Sequence, residues 1–366
     1  MSFPIRILCV FSSLDRGGAE TMCMNLYRNV DHNRIQFDFV KHTEKKCAYD
    51  DEIISMGGMI YVAPPYKVWN YVSYSKWWYE FLSLHPEYRI IHGHYYTISG
   101  VYFKVCKKLK RVCIGHSHTV RNQASITDMD AYIKQYHIKQ VEKYSDYCLA
   151  CSNAAGRYMF PHKPYVVLKN AVDSEHLAYD YARRAVMRDR LGISKDEQVI
   201  FVVANLSEVK NPLGTLDIYS AIRYRIPNAR LFWVGEGGMQ ISMERKIETE
   251  HILGVTLLGA RSDIPDLLQA ADVFMLCSFS EGLPVVTIEA QASGLPCLLS
   301  SAITTEADIT GLCRFLPVNQ PELWADAMGE SINTTRADTS EQIKAAGYDI
   351  KTTSAWLTDF YFSIGM

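Results

Sequence analysis

Two carboxylates, Glu281 and Glu289, bracket a turn and the first turns of a helix in the stretch Ser278-Phe279-Ser280-Glu281-Gly282-Leu283-Pro284-Val285-Val286-Thr287-Ile288-Glu289. The apolar run before it, Asp272 to Cys277, has the character of a buried parallel strand. Gly282-Leu283-Pro284 then turns into a helix, with Pro284 suited to an early helical position. A strand, a turn and a helix in this order aim free backbone N–H groups at the carboxyl edge of a sheet, which suits a diphosphate. Carboxylates do not bind phosphate, but they accept hydrogen bonds from sugar hydroxyls. Donors for phosphate beside acceptors for hydroxyls predict a nucleotide-sugar site.

Four further groups of residues carry chemistry. Lys210, in Asn205-Leu206-Ser207-Glu208-Val209-Lys210-Asn211-Pro212, follows an apolar run; it is either a solvated lysine or a counter-charge for a leaving diphosphate. Val234-Gly235-Glu236-Gly237-Gly238 ends another such run. Asp15-Arg16-Gly17-Gly18-Ala19-Glu20 follows the first one, and its glycines permit a tight turn and close backbone approach; it is not the dinucleotide fingerprint G-x-G-x-x-G. Finally, His92-Gly93-His94 and His116-Ser117-His118 place paired histidines after two predicted strands. Alternate residues share a face there, so they either ligate a metal or bond locally as loop histidines. No carboxylate set accompanies them, and no metal is expected.

The elements that must position these groups alternate regularly. Strands are predicted at 5–11, 35–40, 60–62, 88–92, 112–116, 147–151 and 165–168, with helices at 19–29, 70–84, 99–108 and 129–144. A charge-rich stretch, 173–195, is expected to be a linker and domain entry. The alternation resumes with strands at 199–204, 231–234, 255–258, 273–276, 297–299 and 311–316. This is an α/β pattern of two doubly wound, Rossmann-like domains, and tandem sheets would turn their carboxyl edges to a central cleft. The expected domains are 1–170, 171–345 and a terminal helical segment 346–366, within an aromatic-rich stretch, 340–364, read as one helix.

Composition narrows the function. A chain of 366 residues with 48% hydrophobic content fills two cores, and a net charge of -2 gives no reason to expect nucleic acid. The N-terminus lacks a secretory pattern and no apolar window spans a bilayer, so a cytoplasmic location is expected. The 10 Cys are scattered, as for reduced thiols. Cys148 and Cys151 form a lone C-x-x-C whose spacing in a strand points them to opposite faces, which favours packing over redox chemistry. The basic run Phe103 to Arg111 is either a solvated helix end or an amphipathic membrane-surface helix.

Taken together, the motifs resemble the retaining GT-B glycosyltransferases of family 4, in the bacterial capsular and exopolysaccharide branch. Glu281 and Glu289 match its E-x7-E motif, and the Gly-Gly-Ala-Glu and Val-Gly-Glu-Gly loops match two others. The resemblance implies a GT-B fold, with the last helix returning to the N-terminal domain, and retaining transfer from a nucleoside-diphosphate sugar, UDP first by family frequency. The acceptor would be a glycan or lipid-linked oligosaccharide, which adds a peripheral site at the inner face of the cytoplasmic membrane. No cofactor is implied, since the nucleotide-sugar is a co-substrate. In this reading Glu281 holds sugar hydroxyls, Gly282, Leu283 and the residues after Pro284 hold phosphate, and Glu289 holds the ribose. Lys210, Gly18 and Gly235 complete the donor site, with Gly17, Gly18 and His94 on the acceptor side. His116, with His118 as its rival, touches the transferred sugar. Asn205 stands where the family carries an Arg for the diphosphate, and Arg261 is the candidate substitute. A nucleotide-sugar epimerase, a metal-dependent hydrolase using the histidine pairs, and a non-catalytic nucleotide-sugar binder are the alternatives.

Overall fold

The computed structural model describes residues 4–118 and 128–365. These form two compact units, one made of 4–171 with 350–365 and the other of 172–349. In the first unit the strands are β1 (Ile5–Val10), β2 (Ile35–Lys41), β3 (Ile60–Val62), β4 (Ile90–Gly93), β5 (Val112–Ser117), β6 (Tyr147–Ala150) and β7 (Val166–Val167). They pair in the order β3-β2-β1-β4-β5-β6-β7, all parallel. The second unit contains β8 (Gln198–Val203), β9 (Ala229–Val234), β10 (Val255–Leu257), β11 (Val273–Leu276), β12 (Cys297–Ser300) and β13 (Cys313–Leu316), in the order β10-β9-β8-β11-β12-β13. Each sheet reverses its winding once, between β1 and β4 and between β8 and β11. At such a switch point the crossovers depart to opposite sides and leave a crevice at the strand carboxyl ends.

Alternation along the strands builds the layers. Ile7 and Cys9 of β1 enter one core, with Tyr27, Phe37, Leu357 and Tyr361. Leu8 and Val10 enter the other, with Trp78, Tyr102 and Phe103. In the second unit Phe201 and Phe232 face one side, and Val202, Leu231 and Trp233 the other. Both faces of both sheets are therefore covered, which is why central strands such as β1, β8, β11 and β12 are mostly apolar runs rather than alternating ones.

Two expectations are corrected and one open alternative is narrowed. The stretch 173–195 is not a linker: Asp173 and Asp180 cap helices Ser174–Leu177 and Tyr181–Arg190, and the charges are anchored, Arg183 on Asp266 and Arg184 and Arg188 on Asp272. The terminal helix expected over 340–364 is two helices, Ser340–Ala345 and Ile350–Gly365. Gly347 breaks it at φ +75°, a left-handed conformation, and Tyr348 and Asp349 stay with the second unit through the bridge to Val172. The boundary expected after 345 thus falls after Asp349. For the basic run near 103–111, left open between a solvated helix end and a membrane-surface helix, the apolar face is taken up by the protein core. Helix Ser99–Lys108 buries Val101, Tyr102, Phe103, Val105 and Cys106, while Lys107 pairs with Asp146.

Helix Ile350–Gly365 closes the first unit's core through Ile350, Leu357 and Tyr361. Leu357→Ala removes a side chain that is 1% exposed and should cost about 2–5 kcal/mol of stability, read from the denaturant midpoint; a change near zero would mean the helix is dispensable to that core.

Candidate active site

Of the donor-side residues expected from sequence, Lys210 and Glu281 meet at the switch point of the second sheet. Beyond β8 the chain makes a short 3-10 turn, Glu208–Lys210, and Asn211 then caps helix Pro212–Arg225 in a left-handed conformation, φ 54°. Asn tolerates that conformation better than most residues. Its Oδ1 accepts from Gly214 N at 3.2 Å and its Nδ2 donates to the carbonyl of Cys277 at 3.2 Å. Phe279 N donates to Val209 O at 2.8 Å. These two ties hold the loop after β8 against the loop after β11. As a result Lys210 Nζ sits in contact with Glu281 Oε1, which also accepts from Ser278 Oγ at 2.6 Å. The lysine is mostly shielded and the glutamate more so, with 23% and 11% of their side chains exposed, so the pair is not a surface pair of negligible worth.

Pro284 precedes helix Val285–Ala292, and no side chain caps its N-terminus. Thr287 N donates to the Pro284 carbonyl at 3.0 Å, while the N–H groups of Val285 and Val286 have no partner among the described residues and are open to an anion. One turn on, Glu289 is half-buried and has no hydrogen-bond partner among the described residues. Desolvation pushes its carboxyl up to about pKa 7. A carboxylate in that state is stabilised by any ligand that brings hydroxyl donors.

Gly235 follows β9 at φ +138°, and a Cβ there would lie 2.1 Å from the Ala204 carbonyl. Only glycine fits, because the loops after β8 and β9 pack backbone to backbone. Gly235 N donates to Gly259 O at 2.8 Å, and Glu236 Oε1 accepts from Ala260 N at 3.2 Å. Asn205 is exposed, and its Oδ1 accepts from Ser207 Oγ at 2.9 Å. Arg261 is exposed and forms a two-pronged pair with Asp263, at 2.8 and 2.6 Å. Its charge is already engaged with that carboxylate. Gly282 is exposed, whereas Leu283 is half-buried and packs against the core.

At the switch point of the first sheet, Gly17 precedes helix Gly18–Asn29 and both glycines are exposed. Added side-chain bulk at Gly17 would strike Glu20 Oε2 at 2.3 Å, whereas Gly18 faces open space. β4 and β5 are neighbours, with His92 in register with Ile114. All four histidines converge. Tyr361 bonds His92 Nδ1, His92 Nε2 lies 3.2 Å from His116 Nδ1, and His94 Nδ1 lies 2.8 Å from His118 Nε2. His94 stacks on Phe11 with ring centroids 4.4 Å apart. Burial holds the His92 and His118 imidazoles down to about pKa 3, and His94 and His116 well below 6.5, with repulsion from neighbouring rings adding to it for all but His118. The cluster is neutral at pH 7.

The expected residues thus fall in two groups: Asn205, Lys210, Gly235, Arg261, Glu281, Gly282, Leu283, Pro284 and Glu289 in the second unit, Gly17, Gly18, His94, His116 and His118 in the first. Sequence reasoning missed Asn211, Ser278 and Tyr361. The Asn211-Pro212 dipeptide was a turn signal for the first; Tyr361 gave none, since its partner lies far away in the chain. Cys148 is buried and Cys151 half-buried, both free, and burial raises both thiols, Cys148 to about 12.

Comparison with known proteins agrees with this fold. Residues 183–348 match the family model "Glycosyl transferases group 1". EpsF of Bacillus subtilis strain 168, whose name provisionally makes it a glycosyltransferase, is 30% identical over 97% of this chain and 96% of its own. A UDP-Gal:α-D-GlcNAc-diphosphoundecaprenol α-1,3-galactosyltransferase of Escherichia coli is 34% identical over 37% of this chain and 36% of its own. Among solved structures, Anabaena Alr3699/HepE with UDP and glucose superposes with a TM-score of 0.79 at 17% identity, covering 98% of this chain and 100% of that one.

The neutral histidines set the response to acid. Their proton affinity in the fold is below the unfolded value, so the unfolded chain binds more protons under pH ~6.5. Their contribution is present above that pH and is lost as pH falls through it, on the order of 1 kcal/mol per histidine one unit below. Glu289 acts oppositely, because its raised affinity favours the fold below pH 7, and so does Glu20, but these are two groups against six, burial lowering His42 and His137 as well. The urea midpoint is expected to fall between pH 7.5 and 5.5, and His92→Gln should flatten that slope; a midpoint that rises on acidification contradicts the buried neutral cluster.

Proposed function

Because the chain belongs to the group 1 glycosyltransferases, we propose that it moves a sugar from a UDP-sugar to a hydroxyl of a glycan or lipid-linked oligosaccharide. The setting is capsular or exopolysaccharide assembly, and the anomeric configuration is retained. The observation that carries this reading is the Lys210–Glu281 pair tied beside the uncapped helix Val285–Ala292. An ammonium and open N–H groups receive the diphosphate, and the charge that grows on the leaving group is stabilised without a metal. Glu281 takes sugar hydroxyls and Glu289 the ribose, where hydroxyl donors keep its carboxylate ionised. In the first unit, the histidine cluster supplies neutral nitrogens for sugar hydroxyls, with His116 as the principal group and His94 on the acceptor side. The E. coli relative supports the donor and acceptor classes, since its name states UDP-Gal and a diphosphoundecaprenol-linked sugar. Complexes of HepE with UDP-glucose support the nucleotide.

Lys210 is neutralised by Glu281 before any donor arrives, Asn205 brings no charge, and Arg261 is paired with Asp263. The diphosphate therefore meets a site poorer in positive charge than the family pattern, in which an Arg stands at Asn205.

Two experiments test the reading. A panel of UDP-, GDP-, ADP- and TDP-sugars is offered in EDTA to the wild type and to Glu289→Ala. Selective binding of one UDP-sugar with slow hydrolysis, lost in the variant, is expected; release of a free epimerised sugar would move the chain to the epimerase class, and no binding at all would sink the donor assignment. Separately, Asn205→Arg restores a cation at an exposed position. It should tighten UDP binding about tenfold, the effect of one charge-assisted contact, by calorimetry; unchanged affinity would mean that Asn205 lies off the phosphate.

A further inference from the structure

We propose that His94, His116 and His118 form a binding site for a divalent transition-metal ion, Zn2+ fitting best, and that the ion competes with the sugar for these imidazoles. The second clause rests on the donor reading above; the first does not.

One nitrogen from each of the three rings lies within 4.8 Å of the others. A tetrahedral ion with Zn–N bonds of about 2.0–2.1 Å needs only modest closing from that spacing. Three ring nitrogens, His94 Nε2, His116 Nε2 and His118 Nδ1, are buried and have no partner among the described residues. Buried polar atoms are normally satisfied, so three orphans in one cluster mark a place built for a ligand. All are imidazole nitrogens, which suit zinc, copper or nickel rather than magnesium or calcium.

The surrounding contacts orient the ligands. His116 Nδ1 is bonded to His92 Nε2, and His92 Nδ1 to Tyr361, leaving His116 Nε2 as the outward atom. With the His116 proton on Nδ1, Nε2 presents its lone pair, the outer-shell pattern of metal-bound histidine. Phe11 fixes the His94 ring plane by stacking. His94 and His118 share one hydrogen bond between Nδ1 and Nε2, so the intact pair offers one lone pair. The ion recruits the third nitrogen by replacing that bond. Three histidines then leave a fourth position open for water or a sugar hydroxyl. A second triad, Cys9, His92 and His94, also has metal-like spacing. It is a poorer site, because both nitrogens of His92 are already bonded to Tyr361 and His116.

The probe is Co2+ titrated into metal-stripped full-length protein, followed by its visible ligand-field band, with Zn2+ as displacer. The expected result is one Co2+ per chain with a tetrahedral spectrum, displaced by one Zn2+. His94→Ala and His118→Ala should each weaken binding at least about tenfold, with folding checked by circular dichroism; the conservative His118→Asn serves if the alanine variant does not fold. His176→Ala, in the helix Ser174–Leu177, is the control and should bind as the wild type does. Absence of a stoichiometric band, or binding indifferent to the cluster substitutions, overturns the site. With the donor identified, equimolar Zn2+ should raise the donor KM; stoichiometric binding that leaves KM unchanged overturns the competition. Loss of all transfer in EDTA would count against the function proposed above, while the Co2+ titration would still decide the site.

Discussion

The hydrogen bond from Asn211 Nδ2 to the Cys277 carbonyl joins two loops that chain order keeps far apart. β8 and β11 are neighbours because the second sheet reverses its winding between them. That topology alone brings the strand ends together; it does not fix the loops beyond. A left-handed Asn between a lysine and a proline does so, since its side chain reaches across while its Oδ1 begins the next helix. Lys210 and Glu281 are in contact as a consequence. Neither residue can be moved without disturbing the capping of helix Pro212–Arg225 or the turn into helix Val285–Ala292. The geometry of charge at this site is therefore set by backbone, which is stiffer than two long side chains meeting in water.

The charge balance follows from the same contact. An ammonium beside a carboxylate has no net charge to offer a diphosphate at long range. Attraction arises only at short range, when phosphate oxygens compete for Lys210 while sugar hydroxyls compensate Glu281. Both compensations must come from one ligand, so a phosphate without a sugar, or a sugar without phosphate, satisfies half of the pair. Under the proposed reading this is a source of selectivity for the intact nucleotide-sugar that a simple cationic pocket would lack.

How much of this was legible in the sequence depended on the range of the interaction. The central strands of both sheets showed as apolar runs because they are buried on both faces, whereas β3, β7, β10 and β13, only partly buried, showed mainly through the turns that bound them. Gly235, Lys210, Glu281 and Glu289 showed because each stands just after or near a strand end, where topology makes position meaningful. The stretch 173–195 misled because charge density looks the same whether arginines are solvated or tied to carbonyls and to Asp272. The basic helix near residue 104 left two readings open for the complementary reason, since an apolar face suits a protein core as well as a lipid surface. The link from Tyr361 to His92 had no sequence signal: its partners meet only because the last helix returns to the first unit's core.

The same physical state recurs in the two units' sites. Glu289 is held near neutrality by desolvation, and the four histidines are held neutral by the same cause acting on groups of opposite charge type. In each case burial disfavours the ionised form, and in each case what relieves the cost is a partner with directed hydrogen bonds or a lone-pair acceptor. Hydroxyls are such partners for a carboxylate and for a neutral imidazole alike. A polyhydroxylated ligand therefore suits both sites chemically. The selectivity of the protein for sugars can thus begin with desolvation, before any particular hydroxyl pattern is read.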